Sequence, residues 1–448
     1  MHVHILGICG TFMGGIARLA VQMGHHVTGS DMNVYPPMST QLQQLGIDII
    51  EGYGSAQLDC HPDCIVVGNV MTRGHEVIEV LLEKKIPMLS GPQWIKENVL
   101  QDRWVLAVAG THGKTTTTSM LAHILDYAGL EPGFLIGGVP SNFEQSARLG
   151  QSPFFVIEAD EYDSAFFDKR SKFIHYQPRT LILNNLEFDH ADIFRDLTDI
   201  KRQFHHLLKL IPQMGKCIVN DDDQNLIDLL ALGCWCETEG FSEQSGSDWQ
   251  LQFHSGSASF DIIPTSGQSM HCQINQIGRH NASNAMAAMA AARHTGVSLQ
   301  VSIEAMSQFT GVKRRLEYKG SYQGITIYDD FAHHPTEIEC TLEAVCDHFP
   351  NKRIVVIFEP RSNTMQMGVH ADSLNQALGR ASKSFVYDGG DLDWSLSTAL
   401  SNVECIIQEN IDDLITHVIA YLREDDVVLI LSNGGFEGLC SKLIDNLR

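Results

Sequence analysis

The feature that most limits the fold of this chain is a short apolar run followed by a glycine-containing loop and a helix. Residues 104–109 have the apolar and β-branched character of a buried strand, and apolar residues return at helical positions within 120–125. Between them lies Gly-Thr-His-Gly-Lys-Thr at 110–115. In this context backbone N–H groups and the helix N-terminus face an anion, while Lys114 reaches along the phosphates and Thr115 offers a hydroxyl to magnesium. A valine replaces the first glycine of the strict eight-residue pattern, yet the shorter form still predicts a nucleoside triphosphate site.

Length and composition describe a globular protein of about three domains. The chain has 448 residues, of which 44% are hydrophobic and 19% charged, and its formal charge of −23 argues against nucleic-acid and anionic-membrane partners. No apolar stretch has the length of a membrane span, and the N-terminus does not resemble a signal peptide. Eleven scattered cysteines, with close pairs only at 60/64 and 234/236, favour small buried thiols in a reducing compartment. We therefore expect a cytoplasmic protein.

The first segment, residues 1–103, alternates short strands with helices and therefore predicts a parallel sheet covered by helices. Its first strand ends in Gly-Ile-Cys-Gly-Thr-Phe-Met-Gly at 7–14, and Asp31 ends the second strand. This sequence resembles a dinucleotide-binding turn, but Cys9 occupies the place of the glycine that lets the backbone approach a pyrophosphate. An NAD site is therefore disfavoured. A nucleoside diphosphate at the helix N-terminus and a tight turn without a ligand both stay open.

The middle segment, residues 104–313, has two further buried strands that end in acidic residues. The strand at 154–157 runs into Glu-Ala-Asp-Glu at 158–161, and the strand at 180–183 runs into a polar stretch that ends at His190. Ligands collect at the carboxyl ends of parallel strands, so these groups predict a magnesium site beside the phosphate loop. Helix capping is the alternative. We expect the polar stretch 237–256 to form a peripheral excursion.

The third segment, residues 314–448, alternates in the same way and predicts a second small doubly wound domain. Its strands end in polar or glycine-rich sequences at 329–335, 359–363 and 432–435. A polar cluster at 278–284 also precedes an alanine-rich helix whose packing does not require it.

Six motifs, taken in order along the chain, point to one family. They are Gly-Thr-His-Gly-Lys-Thr-Thr (110–116), Glu-Ala-Asp-Glu (158–161), Asp-His-Ala-Asp (189–192), His-Asn-Ala-Ser-Asn-Ala (280–285), Arg-Arg-Leu-Glu (314–317) and Asp-Asp-Phe-Ala-His-His-Pro-Thr (329–336). The chain resembles the Mur ligases, the ATP-dependent amide-forming enzymes of peptidoglycan assembly. The resemblance implies an α/β fold of three domains. They are a Rossmann-like UDP-sugar domain (1–103), a central P-loop ATPase-like domain (104–313) and a Rossmann-like peptide-binding domain (314–448).

The implied reaction uses ATP and Mg²⁺, with two metal ions expected. The lactyl carboxylate of UDP-N-acetylmuramate takes the γ-phosphoryl group, and an amine then displaces phosphate from the acyl phosphate. Four stretches, at 33–40, 166–173, 359–365 and 432–436, are similar to family members that attach the recycled tripeptide L-alanyl-γ-D-glutamyl-meso-diaminopimelate. Addition of L-alanine in de novo synthesis is the alternative. We expect small-molecule partners only, and a monomer or weak homodimer.

The resemblance also implies residue roles. ATP is assigned to Gly110, Thr111, His112, Gly113, Lys114, Thr115, Thr116, Asn281, Asn284, Arg315 and Asp329. The UDP-sugar is assigned to Gly7, Gly10, Thr11, Gly14, Asp31 and Asn69. The metal ligands are Thr115, Glu158 and His190, the peptide contacts are Arg361, Ser362 and Asn363, and the catalytic residues are Lys114, His190, Arg315, His333 and His334.

Some of these roles have simpler alternatives. His190 as a hydrogen-bonding residue, Arg315 as a surface charge and Arg361 as a helix-cap partner stay open. The carbamylated lysine of several family members has no counterpart at 202–206, so His205, Asp189 or water would complete the second metal site.

Three other functions fit less of the chain. A P-loop kinase or ATPase leaves the first and third segments without a role. An NAD-dependent enzyme conflicts with Cys9, and a non-catalytic sensor of UDP-sugars would not need the lysine and metal ligands that this chain retains.

Overall fold

The computed structural model describes residues 1–34, 38–254 and 258–448. These residues form two compact units. The first comprises 1–186, 198–248 and 285–306, and the second comprises 187–197, 249–284 and 307–448. The segment at 33–40 singled out above includes residues 35–37, and the stretch 237–256 includes 255 and 256; these five lie outside the described residues. Among the described helices, none is long and apolar enough to span a membrane.

The N-terminal part of the first unit is a parallel five-stranded sheet of order β3-β2-β1-β4-β5. Its strands are β1 (His2–Leu6), β2 (His26–Asp31), β3 (Asp48–Glu51), β4 (Cys64–Val67) and β5 (Met88–Ser90). Its helices are α1 (Thr11–Gln22), α2 (Met38–Gln44), α3 (Glu76–Glu83) and α4 (Gly91–Ile95). The inner strands β1 and β4 are apolar along most of their length because helices cover parallel sheets on both faces. The predicted parallel sheet is confirmed.

The second sheet of the first unit carries the phosphate loop. Its strands are β6 (Trp104–Ala109), β7 (Gly133–Leu135), β8 (Ala147–Arg148), β9 (Phe154–Ala159), β12 (Thr180–Leu183), β13 (Lys216–Asn220) and β14 (Glu237–Ser242), and a hairpin of β10 (Asp163–Ala165) and β11 (Asp168–Ser171) follows β9. The helices are α5 (Lys114–Tyr127), α6 (Leu197–Leu208), α7 (Gln224–Ala231), α8 (Arg279–His294) and α9 (Leu299–Ser307). Residues 197, 279–284 and 307 of these helices belong to the second unit. The loop-bearing strand β6 lies in the middle, between β12 and β9, and pairs in parallel with both.

One expectation for this region is wrong. The polar stretch 237–256 does not begin as a peripheral excursion, because β14 pairs in parallel with β13 from Lys216↔Glu237 to Asn220↔Phe241. Its charged start is exposed, while Gly240, Phe241 and Ser242 are buried. The charged residues at the start of β14 hide its membership of the sheet, because they break the apolar pattern that predicts a buried strand.

The second unit contains a three-stranded antiparallel meander and a six-stranded sheet. The meander is β15 (Trp249–Phe253), β16 (Ser259–Pro264) and β17 (Met270–Gln273). The sheet contains β18 (Glu317–Tyr322), β19 (Ile325–Asp330), β20 (Ile354–Phe358), β21 (Lys383–Tyr387), β22 (Cys405–Gln408) and β23 (Val427–Leu431), in the order β18-β19-β23-β20-β21-β22. Its helices are α10 (Pro335–His348), α11 (Asn363–Gln366), α12 (Leu374–Ala377), α13 (Leu396–Ala399), α14 (Ile411–Tyr421) and α15 (Leu439–Leu447).

This second sheet is parallel except for β18, and it has an apolar core on each face. Alternate residues of β20 illustrate the two-sided burial: Val356 and Phe358 belong to one core, Val355 and Ile357 to the other. The doubly wound arrangement predicted for the third segment is confirmed.

Candidate active site

The phosphate loop joins β6 to α5 through two glycines in conformations that side chains disfavour. Gly110 has φ +146° and Gly113 has φ +75°. A Cβ at Gly110 would lie 3.2 Å from the backbone nitrogen and oxygen of Asn185. The loop therefore requires glycine at these positions, for the backbone turn and for close packing. Thr115 and Thr116 follow Lys114 in the first turn of α5, and both are buried.

Asn185, just beyond the end of β12, holds the loop in shape. Its Oδ1 accepts the His112 N–H at 2.7 Å, and its Nδ2 donates to the His112 carbonyl at 3.2 Å. Its own carbonyl accepts the Thr111 N–H at 3.2 Å. Next to it, Asn184 Nδ2 donates to Thr117 Oγ1 at 2.8 Å. The end of the neighbouring strand thus orders both the loop and the first turn of α5.

Lys114 is surrounded by acceptors. Its ammonium donates to the Gly110 carbonyl at 2.7 Å and to Glu161 Oε2 at 2.9 Å, and Glu161 is 2% exposed. Burial alone would lower the pKa of the Lys114 ammonium, but the carboxylates of Glu161, Asp160 and Glu158 raise it above its ordinary value. Lys114 is therefore a fixed positive charge at neutral pH.

Thr115 and Glu158 form the oxygen donor pair expected for a metal. Thr115 Oγ1 lies 3.0 Å from Glu158 Oε1, and the second carboxylate oxygen accepts the Gly137 N–H at 2.7 Å. A Cβ at Gly137 would lie 2.8 Å from both carboxylate oxygens, so this glycine allows the close approach. A hydroxyl and a carboxylate are hard oxygen ligands, and this donor set fits Mg²⁺. The structure thus brings together three predicted residues of the first unit: Lys114, Thr115 and Glu158.

The N-terminal glycine turn is built differently. Gly7 has φ +78°, and Gly10 precedes α1, whose first residue is Thr11. Asp31, at the end of β2, accepts the Cys9 N–H at 2.9 Å and the Asn33 N–H at 3.0 Å. A Cβ at Gly14 would lie 2.6 Å from Met38 Sδ. Asn69 follows β4 and is exposed. Asp31 therefore has a structural role in this turn, beside the ligand role that stays a prediction.

In the second unit, His190 lies in a loop with strained backbone. Its φ is +56°, which is uncommon outside glycine, and its N–H donates to Asp189 Oδ1 at 2.7 Å. Asp189 is 5% exposed; burial would raise its pKa, but His190, His333 and the His190 N–H lower it to about 2. Thr364 Oγ1 also donates to Asp189 Oδ1, at 3.0 Å.

Two arginines that precede β18 lie near carboxylates of β19 and α10. Arg314 Nε lies 3.5 Å from Asp329 Oδ2, and Arg315 Nη1 lies 3.8 Å from Glu337 Oε1. Both guanidinium groups pack near the Phe331 ring, at 5.3 and 4.8 Å from its centre. Burial raises the pKa of Asp329, partly offset by Arg314. The arginine nearest to Asp329 is therefore Arg314, while the predicted Arg315 lies near Glu337.

Two predicted histidines follow at the start of α10. His333 Nδ1 lies 3.3 Å from Glu337 Oε2, and His334 Nδ1 accepts the Thr336 N–H at 3.3 Å as the N-cap of α10. Thr336 Oγ1 donates to Glu187 Oε2 at 2.8 Å. The helix start thus orients both imidazoles.

Asn281 and Asn284 stand in the first turns of α8 and are each 7% exposed. Asn281 Nδ2 donates to the Ile277 carbonyl at 2.8 Å, and Asn284 Nδ2 donates to Asn281 Oδ1 at 3.4 Å. Beside them, burial lowers the pKa of His280 to about 4. The imidazole is therefore neutral at physiological pH.

The predicted peptide residues follow β20. Arg361 packs so closely on Gly434 that a Cβ at that glycine would overlap Arg361 Nη1. Ser362 is the N-cap of α11, where its Oγ accepts the Met365 N–H at 3.3 Å. Asn363 Nδ2 donates to Asp192 Oδ2 at 2.9 Å. Arg361 and Asn363 are both exposed, as contacts to a ligand require.

Sequence reasoning missed several residues that shape these regions: Glu161, Asn185, Gly137, Asp330, Glu337 and Thr364. Asp330, for example, accepts the Leu316 N–H at 2.6 Å and the Ala332 N–H at 2.7 Å. Glu161, Asp330 and Thr364 stand inside or beside quoted motifs, which was the available signal. The sequence carries less signal for Asn185 and Gly137, because their roles depend on which strands are neighbours in the sheet.

A lysine-bearing phosphate loop with a hydroxyl–carboxylate pair defines a nucleotide-dependent α/β enzyme. Comparison with known proteins narrows this class. Three family descriptions match the chain: "Mur ligase family, catalytic domain" over residues 2–103, "Mur ligase middle domain" over 108–292 and "Mur ligase, glutamate ligase domain" over 314–434. The chain belongs to the Mur ligase family, and it is an ATP-dependent, amide-forming ligase that requires Mg²⁺.

Individual relatives differ in similarity. The chain is 51% identical over 454 residues to the UDP-N-acetylmuramate–L-alanyl-γ-D-glutamyl-meso-2,6-diaminoheptandioate ligase of Escherichia coli K12, covering 100% of this chain and 98% of that protein. It is 31% identical to a UDP-N-acetylmuramate–L-alanine ligase of Syntrophomonas wolfei, covering 99% and 97%. A crystal structure of a murein peptide ligase from Psychrobacter arcticus matches with a TM-score of 0.79 and 46% identity, covering 100% and 98%.

Proposed function

We propose that this chain joins UDP-N-acetylmuramate to the recycled tripeptide L-alanyl-γ-D-glutamyl-meso-diaminopimelate in the cytoplasm. One observation carries the proposal: identity to a ligase named for this peptide is 51% over the whole chain, against 31% for a ligase named for L-alanine. Both alignments cover at least 99% of this chain, so the two identities compare nearly the same residues.

The chemistry explains the need for ATP. A free carboxylate does not form an amide at neutral pH, because oxide is too poor a leaving group. Transfer of the γ-phosphoryl group to the lactyl carboxylate gives an acyl phosphate and ADP. The α-amine of the peptide attacks its carbonyl carbon, a tetrahedral intermediate forms, and phosphate leaves with the C–O bonding pair. Catalysis is then a matter of positioning and charge neutralisation.

The residues of the first unit bind and orient the phosphates in this proposal. Lys114 bridges the β- and γ-phosphates as a fixed charge, because the acidic groups around it keep it protonated. Thr115 and Glu158 hold Mg²⁺, which neutralises phosphate charge when bound. Gly7, Gly10, Thr11, Gly14, Asp31 and Asn69 contact the UDP-sugar.

The second unit supplies the remaining groups. Asn281 and Asn284 are assigned to the adenine, Asp329 to the ribose and Arg315 to the γ-phosphate. His190 is assigned to a second metal ion, and His333 and His334 to the boundary of nucleotide and substrate. Arg361, Ser362 and Asn363 bind peptide carboxylates, since a guanidinium fork matches a carboxylate in geometry.

The organisation of the protein completes the proposal. We assign the domain boundaries as 1–103, 104–313 and 314–448, with two magnesium ions per site and a monomer or weak homodimer in solution.

Phosphate release from ATP tests the function directly. The assay contains Mg²⁺ and UDP-N-acetylmuramate, with either the tripeptide or L-alanine as the amine. We expect release with the tripeptide only, together with a UDP-muramoyl-tripeptide product detected by mass spectrometry. Phosphate release with L-alanine alone would assign the chain to de novo synthesis. No release with either amine would favour a non-catalytic sensor of UDP-sugars.

A further inference from the structure

The loop that presents His190 is held on both sides by one hydroxyl group. Thr364 Oγ1 donates to Asp189 Oδ1 at 3.0 Å and accepts the Ala191 N–H at 3.2 Å. Asp189 and Ala191 are the two neighbours of His190 in the chain. Asn363 adds a third bond, because its Nδ2 donates to Asp192 Oδ2 at 2.9 Å. All of these groups belong to the second unit.

His190 needs such support because its backbone is in the left-handed region, with φ +56°. A residue with a Cβ persists there only when its surroundings fix it. Thr364 is 2% exposed and Asp189 is 5% exposed, so water has little access to replace the Thr364 hydroxyl. Without that hydroxyl the Asp189 carboxylate loses a buried donor and the Ala191 N–H loses its acceptor. The left-handed turn keeps the bonds from the Ile193 and Phe194 N–H groups to the His190 carbonyl, but it loses the two bonds at the residues that flank His190.

Thr364 also belongs to the peptide segment, Arg-Ser-Asn-Thr at 361–364. Ser362 caps α11, and Thr364 is the second residue of that helix. A short capped helix moves as one piece, so a ligand that orders Arg361 and Asn363 also orders Thr364. The 361–364 segment thus contains the proposed peptide contacts and also contacts the His190 loop, through Asn363 and Thr364.

We propose that Thr364 is a positioning residue that couples the peptide site to His190. Binding of the peptide to the 361–364 segment fixes the Thr364 hydroxyl, which holds His190 in the orientation required to ligate a metal ion. The inference rests on the proposed function, since it takes the peptide contacts and the metal role of His190 from there. It adds that metal ligation by His190 depends on peptide binding, and that Thr364 is the residue through which it does.

Mn²⁺ in place of Mg²⁺ provides a readout that does not require turnover. In the full-length protein with a non-hydrolysable ATP analogue, UDP-N-acetylmuramate and tripeptide, pulsed electron paramagnetic resonance detects an imidazole nitrogen bound to Mn²⁺. We expect this nitrogen signal in the wild type and its loss in His190→Ala. Thr364→Val should reduce it and weaken Mn²⁺ binding about tenfold, because a buried hydrogen bond to a charged group is lost. Thr364→Ser keeps the hydroxyl and should restore both.

Thr341→Val is the matched control, since Thr341 is a buried threonine of α10 outside the two loops. It should leave the nitrogen signal unchanged. Equal effects of Thr341→Val and Thr364→Val, or a full signal in Thr364→Val, would overturn the proposal. A wild type without the signal would overturn it too, while its turnover of the tripeptide would continue to support the proposed function.

Hydrogen exchange guards against a variant that fails to fold. In the wild type, adding tripeptide to the analogue complex should slow amide exchange in residues 187–197 about tenfold. With Thr364→Val folded, the same addition should have little effect there. If the tripeptide does not change amide exchange in residues 187–197 of the wild type, that result alone would refute the coupling.

Discussion

The two glycine turns of the first unit follow the same strand–turn–helix plan but use opposite charges. At 110–113 the turn contacts an ammonium, Lys114, and is tied to the next strand by the Asn185 amide. At 7–10 the turn contacts a carboxylate, Asp31, which already accepts the Cys9 N–H. The turn at 110–113 therefore carries a fixed positive charge, which is the property that a polyphosphate site requires. In the turn at 7–10 the Cys9 N–H already donates to Asp31, so fewer N–H groups are left for a ligand. This turn therefore suits a ligand that contacts it through fewer phosphate oxygens.

The largest effect is expected from removing the charge of the phosphate loop. Lys114→Met should lower kcat at least about a thousandfold, because the positive group aligned with the transferring phosphoryl is lost. Lys216→Met is the matched control: Lys216 pairs with Glu239 at 2.7 Å at the amino end of β13. Steady-state phosphate release checks both variants. A comparable loss of kcat in the control would mean that any buried ion pair of the unit matters equally.

Removing the amide that orders the loop should have the next largest effect. Asn185→Ala leaves the His112 N–H and carbonyl without their side-chain partner, so we expect the KM for ATP to rise about tenfold to a hundredfold. Asn98→Ala also removes a side-chain amide, one that donates to the Trp94 carbonyl at 2.8 Å. Its KM for ATP should stay at the wild-type value. An unchanged KM in Asn185→Ala would show that the glycines alone shape the loop.

Asp31 tests the other turn. Asp31→Ala leaves the Cys9 and Asn33 N–H groups without their acceptor and should cost about 2 kcal/mol in the free energy of unfolding. UDP-N-acetylmuramate binding should weaken about tenfold while ATP binding stays constant, as calorimetric titration of each ligand can measure. Asp63→Ala is the control, since Asp63 accepts the His2 N–H at 2.7 Å at the amino ends of β1 and β4, whereas Asp31 lies at the carboxyl end of β2. If ATP affinity fell equally, the two turns would not be independent.

The smallest effect concerns the thiol in that turn. Burial, with a contribution from Asp31, raises the pKa of Cys9 to about 11. The reactive thiolate is therefore scarce at pH 8, and alkylation of Cys9 should accelerate about tenfold for each pH unit up to about pH 11. Asp31→Asn removes the smaller cause and should raise the rate at pH 8 only a few-fold. Mass spectrometry after iodoacetamide treatment measures this, with exposed Cys60 as the internal reference.

Much of the fold followed from the sequence because its signals are local. The apolar run 104–109 has the bounds of β6, since buried parallel strands are apolar throughout. The start of β14 carries charged, exposed residues and was assigned to an excursion, because it lacks the apolar character of a buried strand. Periodicity cannot distinguish such a strand from a loop.

The candidate site was predictable where one segment carries the chemistry. Lys114, Thr115 and Glu158 come from two adjacent motifs, and neighbouring parallel strands bring them together. Asn185 and Thr364 could not be assigned roles in this way. Each acts on a loop far away in the sequence, 73 residues for Asn185 and His112 and 175 residues for Thr364 and Asp189. Such pairings depend on strand order, which a single sequence does not specify.

The acidic surroundings of Lys114 have a consequence for the form in which the nucleotide enters. Two ammonium groups, Lys114 and Lys172, share this region with the carboxylates of Glu158, Asp160 and Glu161, which leaves one negative charge in excess. A bare polyphosphate would meet net repulsion there. Nucleotide that is already complexed with a divalent cation carries less negative charge, so we expect this region to repel it less than it repels free ATP.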